Sequence, residues 1–545
     1  MLFRSSLSEY GYRDGATEQE GAAPFAFGSN RWGKLRLGKP TDPSLSTSLV
    51  PRSMLFADPG VEGLEWFVSS ELAQWDLQLT GRRGQCRCFL RPNVDPPGLA
   101  LAVSPFSSTN GVVTLPQSCT FDFYLGLPLR EGHALPPWFH TSFNRNRGNW
   151  VSTSDVRRWA ESGIRTVHCH NDGDYYGDGL FWRDGSYPPY PDMPKFDEVI
   201  AACQRAGIRV ATYFSNKELH PSTPEFREYG SAWGRQDLRG NLQHNFFRGT
   251  NEFCVQMCLR SGWLDFLKFS IDRVLQKHTL DGVYYDWNVA LLCHNRRHIH
   301  QPADAVAAAH WDIGELLDLM EWTRRRVGPR GLVIVHNTTT PMFATENFAD
   351  YVVANEWGYG RWKEPGPELA ELPLEWSLVG ARSRGVISYG QIDAQAARSL
   401  HRRFALEALL AGVTPWPASR ETFELFPVLR PIGDLTSTRY LDWRNTAVSL
   451  NNRHCASSVY GRPEEAYVVV ANLDAAPQAV ECRVALARLP FPLRTCTSAA
   501  LHAMPSELSG GPGLPHGMPL DLQALIGQGV TLTIPARSAV LVHVR

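Results

Sequence analysis

The sequence predicts a multidomain protein of mixed α/β and β class, in which a central (β/α)8 TIM barrel lies between two β-sandwiches. The middle of the chain alternates short apolar strands with helical stretches eight times, which is the count of such a barrel. The flanking segments contain short alternating strands separated by turn residues. A length of 545 residues is also too great for one compact core. The predicted domains are residues 1–130, 131–430 and 431–545.

Each flanking domain is predicted from strands that alternate apolar and polar residues, as strands of a half-buried sheet do. The N-terminal segments that show this alternation are 65–68, 75–79, 86–90 and 119–125. The C-terminal ones are 467–471, 479–484, 530–534 and 539–544. We therefore expect an antiparallel β-sandwich at each end of the chain.

The central segment is predicted from runs of β-branched and aromatic residues, each followed by a helical stretch, with glycine near several of the turns. The predicted strands are 138–143, 164–170, 208–214, 280–288, 331–335, 349–354, 385–389 and 413–416. The predicted helices include 153–162, 195–206, 263–278, 311–327 and 394–411.

Composition excludes some classes of function. The formal net charge is −1, with 20% charged and 43% hydrophobic residues, so there is no basic excess for binding nucleic acid. No apolar run is long enough for a membrane span, and the first residues lack the apolar core of a secretory signal. We expect a cytoplasmic protein without a cofactor, whose 11 cysteines are mostly buried, reduced thiols.

Polar residues concentrate where the predicted barrel strands end, which is the face on which barrel enzymes build their active sites. Carboxylates there cost desolvation energy unless they are paired or functional. The residues at these ends are His140, His170, Asp172, Asn216, Glu218, Asp286, His336, Asn337, Asn355, Glu356 and Trp416.

Glycoside hydrolysis is the chemistry that uses two carboxylates on opposite sides of a scissile bond. Asp286 lies near the end of the fourth predicted strand and Glu356 just after the sixth, so they can face each other across a barrel mouth. Asp286 is the predicted nucleophile and Glu356 the predicted acid/base. Donors expected to keep Asp286 ionised are Asn216, Lys217 and His336, and the substrate contacts predicted beside them are His170, Asp172, Glu218, Tyr285, Trp287, Asn337, Trp357 and Trp416.

The domain order and the run Asp-Gly-Val-Tyr-Tyr-Asp at 281–286 resemble the superfamily of retaining α-glycosidases, which includes α-galactosidases, family 31 α-glucosidases and endo-α-N-acetylgalactosaminidases. The resemblance implies that Asp286 is the nucleophile, that Glu356 lies where the acid/base falls, and that Asp172 and Glu218 hold sugar hydroxyls. The fourth strand lacks the Lys-x-Asp of α-galactosidases and the Asp-Met-Asn-Glu of α-glucosidases. The resemblance is therefore to a distant branch, and the sugar stays open.

Two other readings of the barrel remain. One is an inverting or substrate-assisted glycosidase, for example with Glu218 and Asp286 as the working carboxylates. The other is a catalytically silent barrel that binds carbohydrate.

A metal site is not predicted, because Cys293, His294, His298 and His300 have a suitable spacing but no matching second half in the sequence.

Overall fold

Eight parallel strands form one sheet, and their order in the sheet is their order in the chain. Residues of the first and last strands also come within 8 Å of each other between Cα atoms. The strands overlap all eight predicted segments. They are β1 (His140–Arg145), β2 (Thr166–Asp172), β3 (Arg209–Ser215), β4 (Gly282–Asp286), β5 (Leu332–His336), β6 (Tyr351–Glu356), β7 (Gly385–Ser388) and β8 (Thr414–Trp416).

This computed structural model describes part of the chain. The described residues are 2–3, 25–29, 34–36, 53–57, 63–68, 87–93, 98–104, 123–126, 140–145, 150–161, 163–172, 193–237, 239–247, 251–286, 288, 290–299, 310–336, 343–356, 385–388, 398–416, 425–433, 437–503 and 517–545. The predicted strand at 75–79 lies outside them.

Helices connect most of the successive strands. They are α1 (Thr153–Glu161), α2 (Met193–Arg205), α3 (Pro224–Trp233), α4 (Trp263–Lys277), α5 (Ile313–Val327), α6 (Phe343–Glu346) and α7 (Arg398–Leu410). Among the described residues, no helix has both the length and the apolar character that crossing a bilayer requires.

Side chains of the central strands alternate between two environments, as the two-residue period of a strand requires. On β4, Val283 and Tyr285 pack with the apolar faces of α4 and α5. Tyr284 packs instead with Tyr213 of β3 and Tyr351 of β6, on the other face of the sheet. Asp286 follows Tyr284 by two residues, so it takes the face of Tyr284.

The first strand begins two residues later than predicted, because its pairing with β2 starts at His140, which lies opposite Thr166. His140 therefore lies at the start of β1, and the prediction that it stands at the strand's end is corrected. It is buried in the interior of the sheet.

Antiparallel sheets lie before and after the parallel sheet in the chain. The N-terminal strands form a sheet of Leu2–Phe3, Gly98–Ser104 and Arg87–Asn93, and a sheet of Lys34–Arg36, Phe25–Ser29, Ser53–Ala57, Gly63–Val68 and Phe123–Gly126. The C-terminal strands form a sheet of Arg439–Leu441, Cys455–Arg462, Glu465–Asn472, Ala539–Val544, Ala499–Ala503 and Met518–Leu520, and a sheet of Val448–Leu450, Gln478–Val484 and Val530–Ile534. The two C-terminal sheets share one apolar core, and a short helix, α8 (Leu522–Ile526), packs against it.

The C-terminal sheets contact helix α7 of the parallel-sheet unit. Arg403 on α7 is buried, donates to Glu407 Oε1 at 2.7 Å, and donates to the carbonyl oxygen of Leu473 at 2.9 Å. Arg402 donates to the carbonyl oxygen of Arg537 at 3.1 Å. Because these donors are charged and two of the acceptors are backbone groups, they hold the units in a defined orientation.

The close approach of β4 and β5 requires glycine at position 282. A Cβ atom on Gly282 would lie 2.0 Å from the carbonyl oxygen of Leu332, and backbone cannot move aside within a paired sheet. We expect Gly282→Ala to lower the free energy of unfolding by about 1–3 kcal/mol, measured by urea denaturation. Gly314→Ala is the matched control, because the nearest atom is the hydroxyl of the half-exposed Tyr124 at 3.3 Å. Equal stability of the two variants would contradict this account.

Candidate active site

Asp286 ends β4 as a buried carboxylate with 4% of its surface exposed. The hydroxyl of Tyr213 on β3 donates to Asp286 Oδ2 at 2.8 Å. On the other side, Nδ1 of His336, the last residue of β5, lies 2.8 Å from Asp286 Oδ1. Each carboxylate oxygen therefore faces a polar group of a neighbouring strand, and the hydrogen bond from Tyr213 restrains the orientation of the carboxylate.

Stacked rings fill the interior of the sheet around these residues. The ring of His168 stacks on Tyr284 with centroids 4.3 Å apart, and the ring of His140 stacks on Tyr351 at 5.4 Å. His140 Nε2 and His168 Nδ1 lie 2.8 Å apart. Burial lowers the pKa of His140 to about 3, so the ring is neutral in the folded protein at ordinary pH. The stacked rings therefore fill the interior of the sheet on the face that Asp286 shares with Tyr284.

Asn216 and Asn288 lie just beyond the ends of β3 and β4, and both are fully buried. Asn216 donates through Nδ2 to Asn288 Oδ1 at 2.9 Å, and its backbone oxygen accepts from Trp263 Nε1 at 2.9 Å. Asn216 Oδ1 and Asn288 Nδ2 have no hydrogen-bond partner within the described part of the chain. Asn216 was predicted from the sequence, whereas Asn288 was not singled out, although it belongs to the same strand-end run.

Glu218 is placed in a small sheet above the strand ends. It lies in strand Glu218–Leu219, which pairs antiparallel with Asn251–Gln256, and it is buried. Cys254 Sγ donates to Glu218 Oε1 at 3.5 Å. Glu218 is therefore held by the excursion that follows β3.

Tyr285 faces away from Asp286. Its hydroxyl lies 2.7 Å from Thr323 Oγ1 on α5, and its ring packs in the layer between the sheet and the helices. The strand alternation that directs Asp286 inward directs Tyr285 outward, which corrects the prediction that Tyr285 contacts the substrate.

Four predicted residues are placed only through their backbone. Glu356 ends β6 and Trp416 ends β8. His170 and Asp172 are among the last three residues of β2. Trp287, Asn337 and Trp357 lie outside the described residues.

Lys217 does not contact Asp286 as predicted, because it pairs with Asp312. Asp312 Oδ2 lies 3.2 Å from Lys217 Nζ and 2.7 Å from Arg235 NH2, and all three side chains are fully buried. Burial lowers the pKa of Lys217 to about 8. For Asp312 burial acts in the opposite direction, but the charges of Lys217 and Arg235 outweigh it and hold the pKa of this carboxyl well below its usual range. The backbone N–H groups of Leu259 and Leu291 also donate to Asp312.

A cluster of buried cysteine and histidine side chains lies next to the ion pairs of Asp312. Cys258 Sγ, Cys293 Sγ and His298 Nδ1 lie within 4.8 Å of one another, which makes them a candidate metal-binding set. His310 Nε2 lies 3.2 Å from Cys258 Sγ. The sequence analysis noted the spacing of Cys293 and His298 without predicting a metal site, and it did not single out Cys258 or His310.

The buried histidine pair predicts how stability depends on pH. Because the folded-state pKa of His140 is about 3 and an unfolded histidine titrates near 6.5, the unfolded chain binds one more proton between these values. Stability is therefore lost as pH falls below about 6.5. Between roughly pH 7.5 and pH 5 the free energy of unfolding of the wild type decreases. We expect His140→Gln to make this decrease smaller by about 2 kcal/mol, measured by urea denaturation at each pH. Replacement of the exposed His244 by Gln should leave the loss unchanged, and an unchanged loss in His140→Gln would contradict the assignment.

The ion cluster predicts a large effect of neutralising Asp312. Asp312→Asn leaves two buried cations without a counter-charge, so we expect a loss of about 3–5 kcal/mol in the free energy of unfolding. The control is Asp318→Asn, which removes the partner of Lys268 in a half-exposed pair at 2.8 Å and should change stability by less than about 1 kcal/mol. Similar effects of the two substitutions would show that Asp312 does not organise the cluster.

A family model described as a domain of unknown function (DUF6259) matches residues 139–328. No curated protein matches the sequence.

Solved structures match over nearly the whole chain. The GH36 α-galactosidase AgaB from Geobacillus stearothermophilus is 11% identical with a TM-score of 0.53, and the match covers 96% of this chain and 74% of that one. The galactosidase domain of the α-galactosidase-sucrose kinase AgaSK is 12% identical with a TM-score of 0.53, over 95% and 73%. A variant of AgaA from G. stearothermophilus, in complex with 1-deoxygalactonojirimycin, is 11% identical with a TM-score of 0.52, over 96% and 74%. These similarities show that the chain has an α-glycosidase-type fold.

Proposed function

We propose that the chain is a glycoside hydrolase that cleaves an α-linked glycoside with retention of configuration. The observation that carries the proposal is the position of Asp286 at the carboxyl end of the fourth strand of an eight-stranded parallel sheet, between Tyr213 and His336. The fold similarity to α-galactosidases supports the same reaction class by analogy. We further propose that the eight strands close into a (β/α)8 barrel flanked by β-sandwiches, with domains at 1–130, 131–430 and 431–545.

In this proposal Asp286 is the nucleophile. A carboxylate oxygen of Asp286 forms a bond to the anomeric carbon as the bond from that carbon to the leaving oxygen breaks. The hydroxyl of Tyr213 and the imidazole of His336 orient the carboxylate and stabilise its charge between turnovers. A nucleophile held in one orientation loses little entropy on the way to the transition state.

Glu356 is the proposed acid/base, because β6 ends at this residue two strands away from β4. In the pairing of β6 with β7, Val353 lies opposite Val386 and Glu356 lies opposite Ser388. Strand β6 therefore has one more residue than β7 between these two pairs. Such a bulge shifts the alternation of faces by one residue, so position 356 takes the face that position 355 would have in a regular strand. Glu356 would protonate the leaving oxygen in the first step. In the second step it would accept a proton from the water whose oxygen displaces Asp286 from the anomeric carbon.

The proposed ligand is a carbohydrate. The matched α-galactosidase structures include complexes with 1-deoxygalactonojirimycin, raffinose and stachyose. In this chain, Asn216 Oδ1 and Asn288 Nδ2 are buried polar atoms without a described partner just beyond the strand ends. An acceptor and a donor side by side suit a sugar hydroxyl, which both donates and accepts.

The proposal predicts the effect of removing each carboxylate. Asp286→Ala should lower turnover of aryl α-glycosides by about 10³-fold or more, and Glu356→Ala should lower it by about 10²–10⁴-fold for poor leaving groups. Added azide should rescue both variants, giving a β-glycosyl azide with Asp286→Ala and an α-glycosyl azide with Glu356→Ala. Hydrolysis is followed by release of the aryl group, and the azide products are identified by nuclear magnetic resonance.

Tyr285→Phe is the matched control, because it changes the residue next to Asp286 but removes only the contact with Thr323 on the outer face. It should keep near-normal turnover. If Glu356→Ala keeps near-normal activity toward poor leaving groups, the acid is another carboxylate, such as Asp172 or Glu218. If the wild-type protein binds sugars in a titration but turns over no aryl α- or β-glycoside, the proposed reaction is wrong and the barrel is a carbohydrate-binding one.

A further inference from the structure

Four metal-binding side chains meet in the loops that follow β3 and β4, away from the proposed catalytic carboxylates. Cys258 follows strand Asn251–Gln256, and Cys293 and His310 lie in two short strands that pair with each other. His298 ends a short 3-10 helix, Arg296–His298. All four side chains are buried, so solvent does not compete for their donor atoms.

Two distances between donor atoms agree with coordination of one tetrahedral ion. Cys293 Sγ lies 3.5 Å from His298 Nδ1, and Cys258 Sγ lies 3.2 Å from His310 Nε2. A zinc ion bound at the usual lengths of about 2.3 Å to sulfur and about 2.0–2.1 Å to nitrogen separates two such ligands by about 3.6 Å. Cys258, Cys293 and His298 already have donor atoms within 4.8 Å of one another, and His310, which contacts Cys258, has to turn toward the other two to complete the set.

The surroundings hold the ligands in the form that binds a metal. His298 Nε2 lies 2.6 Å from the carbonyl oxygen of Ala232, so this nitrogen carries the proton and Nδ1 presents its lone pair to the cluster. A backbone carbonyl behind a histidine is a common orienting contact of metal ligands. The backbone N–H of Asn295 donates to Cys293 Sγ at 3.4 Å, which stabilises negative charge on that sulfur.

The pairing of the two short strands brings two of the ligands together. Cys293 lies directly opposite His310 in the antiparallel ladder, at the separation of cross-strand neighbours. Asn295 Nδ2 donates to the carbonyl oxygen of Gly234 at 2.8 Å, which ties the same loop to the end of α3. The ligand set is thus built on paired and hydrogen-bonded backbone.

We propose that Cys258, Cys293, His298 and His310 bind one zinc ion in a closed, structural Cys2His2 site. Two thiolates and two imidazoles are the donor set that selects zinc among the common divalent ions, and two thiolates cancel its charge. Four protein ligands leave no open position for a substrate or water, so the ion has no catalytic role. Its role is to fasten the loop after β4 to the excursion after β3, beside the ion cluster of Asp312. This proposal is independent of the glycosidase reaction.

The test measures metal in the full chain purified under reducing conditions from zinc-supplied cells. We expect about one zinc ion per chain by inductively coupled plasma mass spectrometry. Replacement of that zinc by Co²⁺ should give tetrahedral d–d absorption bands and a thiolate-to-cobalt charge-transfer band. Cys258→Ser and Cys293→Ser should each lose the zinc or the charge-transfer intensity of one thiolate. Cys203→Ser, which changes a buried cysteine that packs away from the cluster, should keep the full zinc content.

Three results would overturn the proposal. The first is wild-type protein that contains no stoichiometric zinc and gives no tetrahedral Co²⁺ spectrum, a measurement that does not depend on the folding of any variant. The second is zinc that persists at full occupancy in both cysteine variants, since the ion would then lie elsewhere. The third is a disulfide between Cys258 and Cys293, detected by peptide mass spectrometry of the protein purified with zinc.

Discussion

The carboxylate of Asp312 is the contact on which the loops above the sheet depend. It accepts from Lys217, which follows β3, from Arg235, which follows α3, and from the backbone of Leu291, which follows β4. A buried carboxylate needs such partners because its desolvation costs several kcal/mol. The loops must therefore converge on Asp312, and this convergence places Asn216 and Asn288 side by side at the strand ends.

Much of the parallel sheet could be predicted from the sequence, because each strand has a local signal in its β-branched and aromatic residues. The bounds were less accurate, since they depend on pairing with a neighbour. Strand β6 was predicted to end at residue 354 but continues to Glu356, where it still pairs with Ser388 of β7. No property of 354–356 alone contains that information.

A site residue could be predicted where its position in a strand determines where its side chain points. It could not be predicted where its contact is with a residue far away in the sequence. Asp286 ends a strand, so its position followed from the sequence. Tyr285 was predicted as a substrate contact because it is aromatic and adjacent, although the same alternation turns it toward Thr323. Lys217 was predicted to contact Asp286, but its partner, Asp312, is 95 residues away in the sequence. The same limit applies to Cys258 and His310, which are 52 residues apart and belong to no recognised ligand spacing.

The Asp312 ion cluster and the proposed zinc ligands hold the same loops through different interactions. The Asp312 cluster holds them through charge, which is strong only because water is excluded, while a zinc ion would hold them through bonds to sulfur and nitrogen. The loop after β4 begins directly beyond Asp286, and its backbone at Asn288 donates to the carbonyl oxygen of His336 at 2.9 Å. Fastening this loop therefore restrains both His336 and the strand end that presents Asp286. A reaction that needs a carboxylate aligned with one carbon atom gains from that restraint, because alignment kept by the fold does not have to be supplied by substrate binding.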